Sequence, residues 1–158
     1  MQIPIFETDN FYIQAAKKLH IDRNDGGHIY LFPKVEVSDR TKLTPKLAIE
    51  YTKLSMVVGE AMKSAMARRG IDIGIINYQD MGNWSVFKPE GPWLHMQIYG
   101  RAKTATIQKY GDAVQLPHRE TGFYDNFEPL NGEDINEIEA DIKRLLQTDK
   151  YATVWSEA

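Results

Sequence analysis

WLHMQIYGR, residues 93–101, is the stretch whose reading decides the fold. Its side chains alternate, with Leu94, Met96 and Ile98 on one side and Trp93, His95, Gln97 and Tyr99 on the other. A period of two predicts a strand over residues 93–100 that buries one apolar face. The opposite face sets Trp93, His95 and Gln97 in a row, roughly 6 to 7 Å between successive residues. An imidazole beside an amide donor suits a nucleophile or general base at a phosphoryl centre. The bland alternative is a histidine hydrogen-bonded in a half-buried sheet, and the stretch alone leaves both open.

The partner for the apolar face lies upstream. Residues 45–69 predict a helix, with Thr44 as its cap and Pro45 at the first helical position. Leu47, Tyr51, Leu54, Val58, Ala61, Met62 and Ala65 recur at helical spacing and form one apolar stripe. Arg68 and Arg69 suit the negative end of the dipole, and Gly70 can close the last turn. Met62 and Met66 read as core filler. IDIGIIN, residues 71–77, predicts a strand, and a Gly/Asn/Pro-rich loop, YQDMGNWSVFKPEGP, joins it to the 93–100 strand.

Further out, HIYLFPKVEV, residues 28–37, predicts another strand, with Pro33 favouring an edge or a bulge. DRNDGG, residues 22–27, reads as a turn. Residues 11–21 stay open: Phe11 and Ile13 alternate like a strand, whereas AAKKL favours helix. Residues 104–110 are a candidate short element. A second helix is expected over residues 133–147, with Glu133 and Asp134 in its first turn and Ile135, Ile138, Ile142 and Leu145 as its stripe.

The whole chain has 158 residues, 42% of them hydrophobic, enough for one packed domain and too many for general disorder. It contains no internal repeat and no low-complexity tract, so residues 1–158 are expected to form a single domain. A net charge of −3 argues against a broad grip on a nucleic acid duplex, but a phosphate pocket needs only a few local donors. The absence of cysteine excludes disulfides, thiolate metal sites and cysteine nucleophiles. His20, His28, His95 and His118 show no metal spacing, so neither metal nor cofactor is expected. The start, MQIPIFETDN, lacks the pattern of a secretory signal, and no run approaches a membrane span. The expected location is the cytoplasm, with no membrane partner.

The order of elements adds a resemblance. Gly27-His28 and Pro33-Lys34, then a long helix, a strand ending in Asn77, a glycine-rich loop, and the His95 strand closed by Gly100-Arg101 follow one another in a familiar series. It resembles the histidine-triad (HIT) superfamily of nucleotide hydrolases and transferases over residues 11–103, leaving 104–158 as a C-terminal extension. That family's motif alternates three histidines with apolar residues. Here it reads Trp93-Leu94-His95-Met96-Gln97-Ile98, with the middle histidine kept, Gln97 third as in the nucleotidylyltransferase branch, and Trp93 first. Glu36 stands where the family often has another histidine, and Lys88-Pro89-Glu90-Gly91-Pro92 replaces its usual glycine-glutamine pair.

The resemblance implies an α+β fold with a mostly antiparallel sheet of about five strands, one long helix and a C-terminal helix, commonly paired as a homodimer. It implies His95 as the nucleophile at a nucleotide's α-phosphorus, with Gln97 and His28 assisting. Asn77, Trp93, Arg101 and Lys34 are the candidate substrate-binding residues. The substrate class is a nucleoside phosphate, a phosphoramidate or a dinucleoside polyphosphate. Hydrolysis suits the short chain, and Gln97 pulls towards transfer. A pocket that holds nucleotide without turnover and an interaction surface are the rival readings. Each candidate has an ordinary reading beside it: His28 as a strand-start residue, Asn77 as a turn cap, Trp93 as packed core, Arg101 and Lys34 as surface charge. Phe123, Tyr124 and Phe127, near His118, suit a lid, a dimer contact or satellite packing.

Overall fold

Five short strands and one long helix dictate the architecture. The computed structural model describes residues 3–152 and residue 155, and the outer limits of the expected 1–158 domain lie outside them. Strands β1 (Ile3–Glu7) and β2 (Phe11–Ala15) form a hairpin. Strand β3 (His28–Pro33) follows, then helix α1 (Pro45–Arg68), strands β4 (Ile73–Asp80) and β5 (Met96–Ala102), and helices α2 (Gly132–Leu145) and α3 (Asp149–Ala152). The five strands make one sheet in the order β1-β2-β3-β5-β4, every neighbouring pair antiparallel. The α+β arrangement with one long helix and a C-terminal helix is as expected.

Helix α1 begins where the sequence places it, because Thr44 Oγ1 accepts from the Leu47 N–H at 3.3 Å and Pro45 needs no donor there. It ends at Arg68, with Arg69 as its cap, and Gly70 turns the chain at a φ of +82°. Its buried stripe of Tyr51, Leu54, Val58, Ala61, Met62 and Ala65 packs on Ile13, Ile29, Leu31, Met96 and Ile98 of the sheet. Met66 joins Met62 in the core, and Leu47 is half-buried at its margin. Helix α2 opens on a capping box between Asn131 and Asp134 and buries Ile135, Ile138, Ile142 and Leu145.

Several boundaries differ from the sequence reading. Residues 11–15 are strand, since burying Phe11, Ile13 and Ala15 completes the core and overrides the helical preference of the residues after them. Strand β3 stops at Pro33, in the middle of the sheet order rather than at an edge. The β5 ladder ends at Leu31↔Met96, so Pro33 has no β5 partner to disappoint. Strand β5 starts at Met96 and β4 runs on to Asp80, because the two pair from Ile73↔Ala102 to Asp80↔Met96, with a register shift between Ile73 and Ile75. Trp93, Leu94 and His95 therefore precede the strand, tied down by the Leu94 N–H bonding the Val37 carbonyl at 2.7 Å. Residues 104–110 contain neither helix nor strand.

One backbone contact locks the turn before His28 to the end of the His95 strand. A Cβ on Gly100 would lie 2.2 Å from the Gly26 carbonyl oxygen, and a Cβ on Gly26, whose φ is +129°, would lie 2.2 Å from that of Gly100. The Gly100 N–H also bonds the Gly27 carbonyl at 3.0 Å. Only glycine allows this approach. It fixes β3 against β5 at the level where the polar face of the sheet begins.

Candidate active site

The sheet face away from α1 carries the residues that alternate with the apolar ones. Gln97, Tyr99 and Arg101 of β5 lie beside His28 and Tyr30 of β3, and beside Asn77 and Gln79 of β4. These groups are polar, yet Gln97 is only 4% exposed and His28 1%. Buried polar groups need partners, and the two ends of this face find them differently.

At the Arg101 end every partner is protein. Arg101 donates to Asn77 Oδ1 at 2.7 Å and to the carbonyls of Lys109 and Asp112 at 2.9 and 2.8 Å. Asp25, in the turn before His28, accepts from the N–H groups of Thr106, Ile107 and Gln108 at 2.8, 3.0 and 2.6 Å. Gln108 spans from the His20 carbonyl to both backbone groups of Gln115. Together they pin the loop after β5 across the sheet.

At the His95 end the face opens into a cleft of about 430 Å³. His95 and Gln97 line it with Tyr30, His20 and Trp84. His95 Nδ1 lies 2.7 Å from the Trp93 carbonyl. A carbonyl only accepts, so Nδ1 carries a proton, and in the neutral ring Nε2 holds the lone pair. Lys18, Lys88 and Arg119 also line the cleft, and among the described residues no carboxylate does. Arg119 is held there by the carbonyls of Leu19 and Lys18 and by the Tyr124 ring, 4.9 Å from its guanidinium.

Gln97 is positioned from behind. Its Oε1 accepts from the Tyr99 hydroxyl at 2.8 Å, and the Tyr99 oxygen lies 2.7 Å from His20 Nδ1. The hydroxyl proton goes to Gln97, so His20 supplies the other proton. With its oxygen occupied, Gln97 keeps its amide N–H groups for the cleft. The His20 backbone N–H in turn bonds His28 Nδ1 at 3.2 Å, and the two imidazoles stack with centroids 5.2 Å apart. Burial, then the Arg119 charge, lowers the His20 pKa to about 4. Burial, then His20, holds His28 well below the ordinary imidazole value. Both rings are neutral at pH 7.

Of the residues named from sequence, only His95 and Gln97 line the cleft. His28 sits one layer below, sealed under His20, Tyr30 and Tyr99, because the sheet face is covered there. Asn77 and Arg101 are spent on each other and on the loop after β5. Trp93 turns away, its Nε1–H bonding the Pro33 carbonyl at 3.1 Å and its ring meeting Phe32 edge-on. Lys34 pairs with Glu7 and lies over the Tyr12 ring, towards β1 and β2. Phe123, Tyr124 and Phe127 form an edge-to-face cluster whose Tyr124 backs His20, outside the cleft lining.

His20, Tyr30, Trp84 and Arg119 were not singled out from sequence. Tyr30 was within reach, since it lies two residues after His28 and shares its face. His118 stacks on Trp84 at 5.5 Å, joining the loop before β5 to the segment that carries Arg119. Among the described residues no trio of His, Asp or Glu side chains is placed to hold a metal ion, and no helix is long and apolar enough to cross a membrane.

No family model and no curated protein sequence matches the chain. Solved structures do. A histidine triad protein from Bradyrhizobium japonicum superimposes with a TM-score of 0.59 at 16% identity, over 90% of this chain and 89% of that one. A histidine triad (HIT) protein from Sinorhizobium meliloti gives 0.57 at 21% identity, over 90% and 88%. A hypothetical histidine triad nucleotide-binding protein from Sulfolobus tokodaii gives 0.58 at 15% identity, over 92% and 87%. The chain has the histidine-triad fold.

Proposed function

We propose that the cleft takes the phosphate of a nucleotide and that His95 Nε2 attacks its α-phosphorus. The observation that carries this reading is the set of three cations, with no carboxylate among the described lining residues, around an imidazole whose Nδ1–H is committed to a carbonyl. Such a lining concentrates anions and stabilises charge that develops on phosphoryl oxygens.

In the first step Nε2 bonds to phosphorus while the bond to the leaving group breaks and its electron pair departs. Water then bonds to phosphorus, the phosphorus–nitrogen bond breaks, and nucleoside monophosphate is released. Dividing the displacement lowers each barrier. The Gln97 amide donates to a non-bridging oxygen. The substrate class is a nucleoside phosphate, a phosphoramidate or a dinucleoside polyphosphate. Gln97 at the third motif position favours a second reading, in which a phosphate acceptor replaces water. Pairing as a homodimer belongs to the same proposal.

The test incubates the protein with adenylylated and guanylylated compounds and searches by mass spectrometry for a nucleotidyl adduct, with and without a phosphate acceptor. The expected result is an adduct absent from His95→Ala and a faster discharge by whichever acceptor the enzyme uses. Stabilisation by AMP with no turnover across the panel marks a binding module instead. No adduct and no stabilisation overturn the proposal.

A further inference from the structure

Gln97 leaves one chemical need unmet, because an amide cannot hand a proton to the departing group. An amine or alkoxide does not leave phosphorus as an anion at useful rates, so a proton must reach it. The cleft lining holds several candidates. His20 is excluded at neutral pH, since its Nδ1–H is given to Tyr99 and its low pKa leaves Nε2 bare. Lys18 and Lys88 are exposed at the rim, without ring or hydrogen-bond contact to His95.

Tyr30 is different in three respects. Its ring packs edge-on to the His95 ring, centroids 5.6 Å apart, inside the cleft. Its hydroxyl makes no hydrogen bond to any described residue, whereas the phenols of Tyr99 and Tyr124 behind the cleft are engaged. Its ring is clamped from below by His28, 4.6 Å away, so the hydroxyl is carried on a rigid support. From these contacts we infer that Tyr30 is the catalytic acid of the His95 reaction, protonating strongly basic leaving groups of the amine or alcohol class. The inference rests on the nucleotidyl-histidine reading above.

The step balances. As Nε2 bonds to phosphorus, the phosphorus–nitrogen or phosphorus–oxygen bond breaks, and the leaving atom takes the Tyr30 Oη proton. When water displaces Nε2, the proton it sheds returns to Tyr30. Burial raises the phenol's pKa, which keeps the proton in place until a strongly basic atom demands it. A phosphate or nitrophenolate leaves without it.

The test compares wild type and Tyr30→Phe on two AMP derivatives, an alkylamine phosphoramidate and the p-nitrophenyl ester. The variant removes one oxygen that no described residue uses, so the fold is retained. The expected result is a fall in kcat of about 100-fold on the phosphoramidate and less than about threefold on the nitrophenyl ester. Equal falls on both, or no fall on either, overturn the role of Tyr30 while the adduct on His95 stands. A wild-type protein that forms no adduct from either compound overturns the nucleophile, and the acid with it.

Discussion

Arg101 and Gln97 sit on the same face of one strand, four residues apart and almost equally buried, at 3% and 4% exposure. Arg101 is surrounded by protein acceptors, and its neighbours Asn77 and Asp25 are spent on protein as well. Gln97 has its oxygen fixed from behind, with its donors left for a cleft that holds cations and an unpaired phenol. Burial is the same at both ends, and the partners are not. A polar face whose donors are turned onto protein acceptors is a brace, and one held rigid with donors left for a cleft is a site.

The comparison breaks most visibly at the closed end. Arg101→Met strands Asn77 Oδ1 and the carbonyls of Lys109 and Asp112, and is expected to cost about 3 to 5 kcal/mol in urea unfolding. Next comes the link between the ends. Tyr99→Phe removes the hydroxyl between His20 and Gln97, with an expected loss of about 1 to 2 kcal/mol and a lower kcat, because the Gln97 amide is then free to turn. Smallest is the open end, where Tyr30→Phe is expected to leave stability within about 0.5 kcal/mol, a result that separates an unused hydroxyl from a structural one.

Acid sharpens the same contrast. An unfolded His20 takes up protons near pH 6.5, but the folded one does so only near pH 4. Its burial in the neutral form therefore stabilises the fold fully above pH 6.5, and that contribution is lost as pH falls towards 4. His28 acts in the same direction. A melting temperature that declines from pH 6.5 to 4.5 is expected, with a shallower decline in His20→Gln. An identical slope in the variant assigns the decline to other groups.

The frame of the molecule was legible because periodicity reports burial. The stripe from Tyr51 to Ala65 and the alternation at Met96 and Ile98 each name a buried face, and each is buried, while Thr44 marks where the helix starts. His95 and Gln97 shared a face for the same reason. The other site residues were less legible. Sequence alternation gives a side but not what covers it, so His28 reads as facing a pocket although His20 seals it. Arg101 and Lys34 carry charge, and charge alone does not reveal that one is caged by carbonyls and the other paired with Glu7. Arg119 reaches the cleft from a segment without periodicity, held by backbone carbonyls that no pattern announces.

The central claim is that the Trp93 carbonyl, by holding the Nδ1 proton, turns Nε2 of His95 towards phosphorus. Phosphorus NMR of the trapped nucleotidyl intermediate, on protein labelled with nitrogen-15 in its histidine rings, tests it most directly. The account predicts a phosphorus–nitrogen coupling to Nε2 of His95, absent in His95→Ala. Coupling to Nδ1, or a nucleotidyl group on any other side chain, contradicts it.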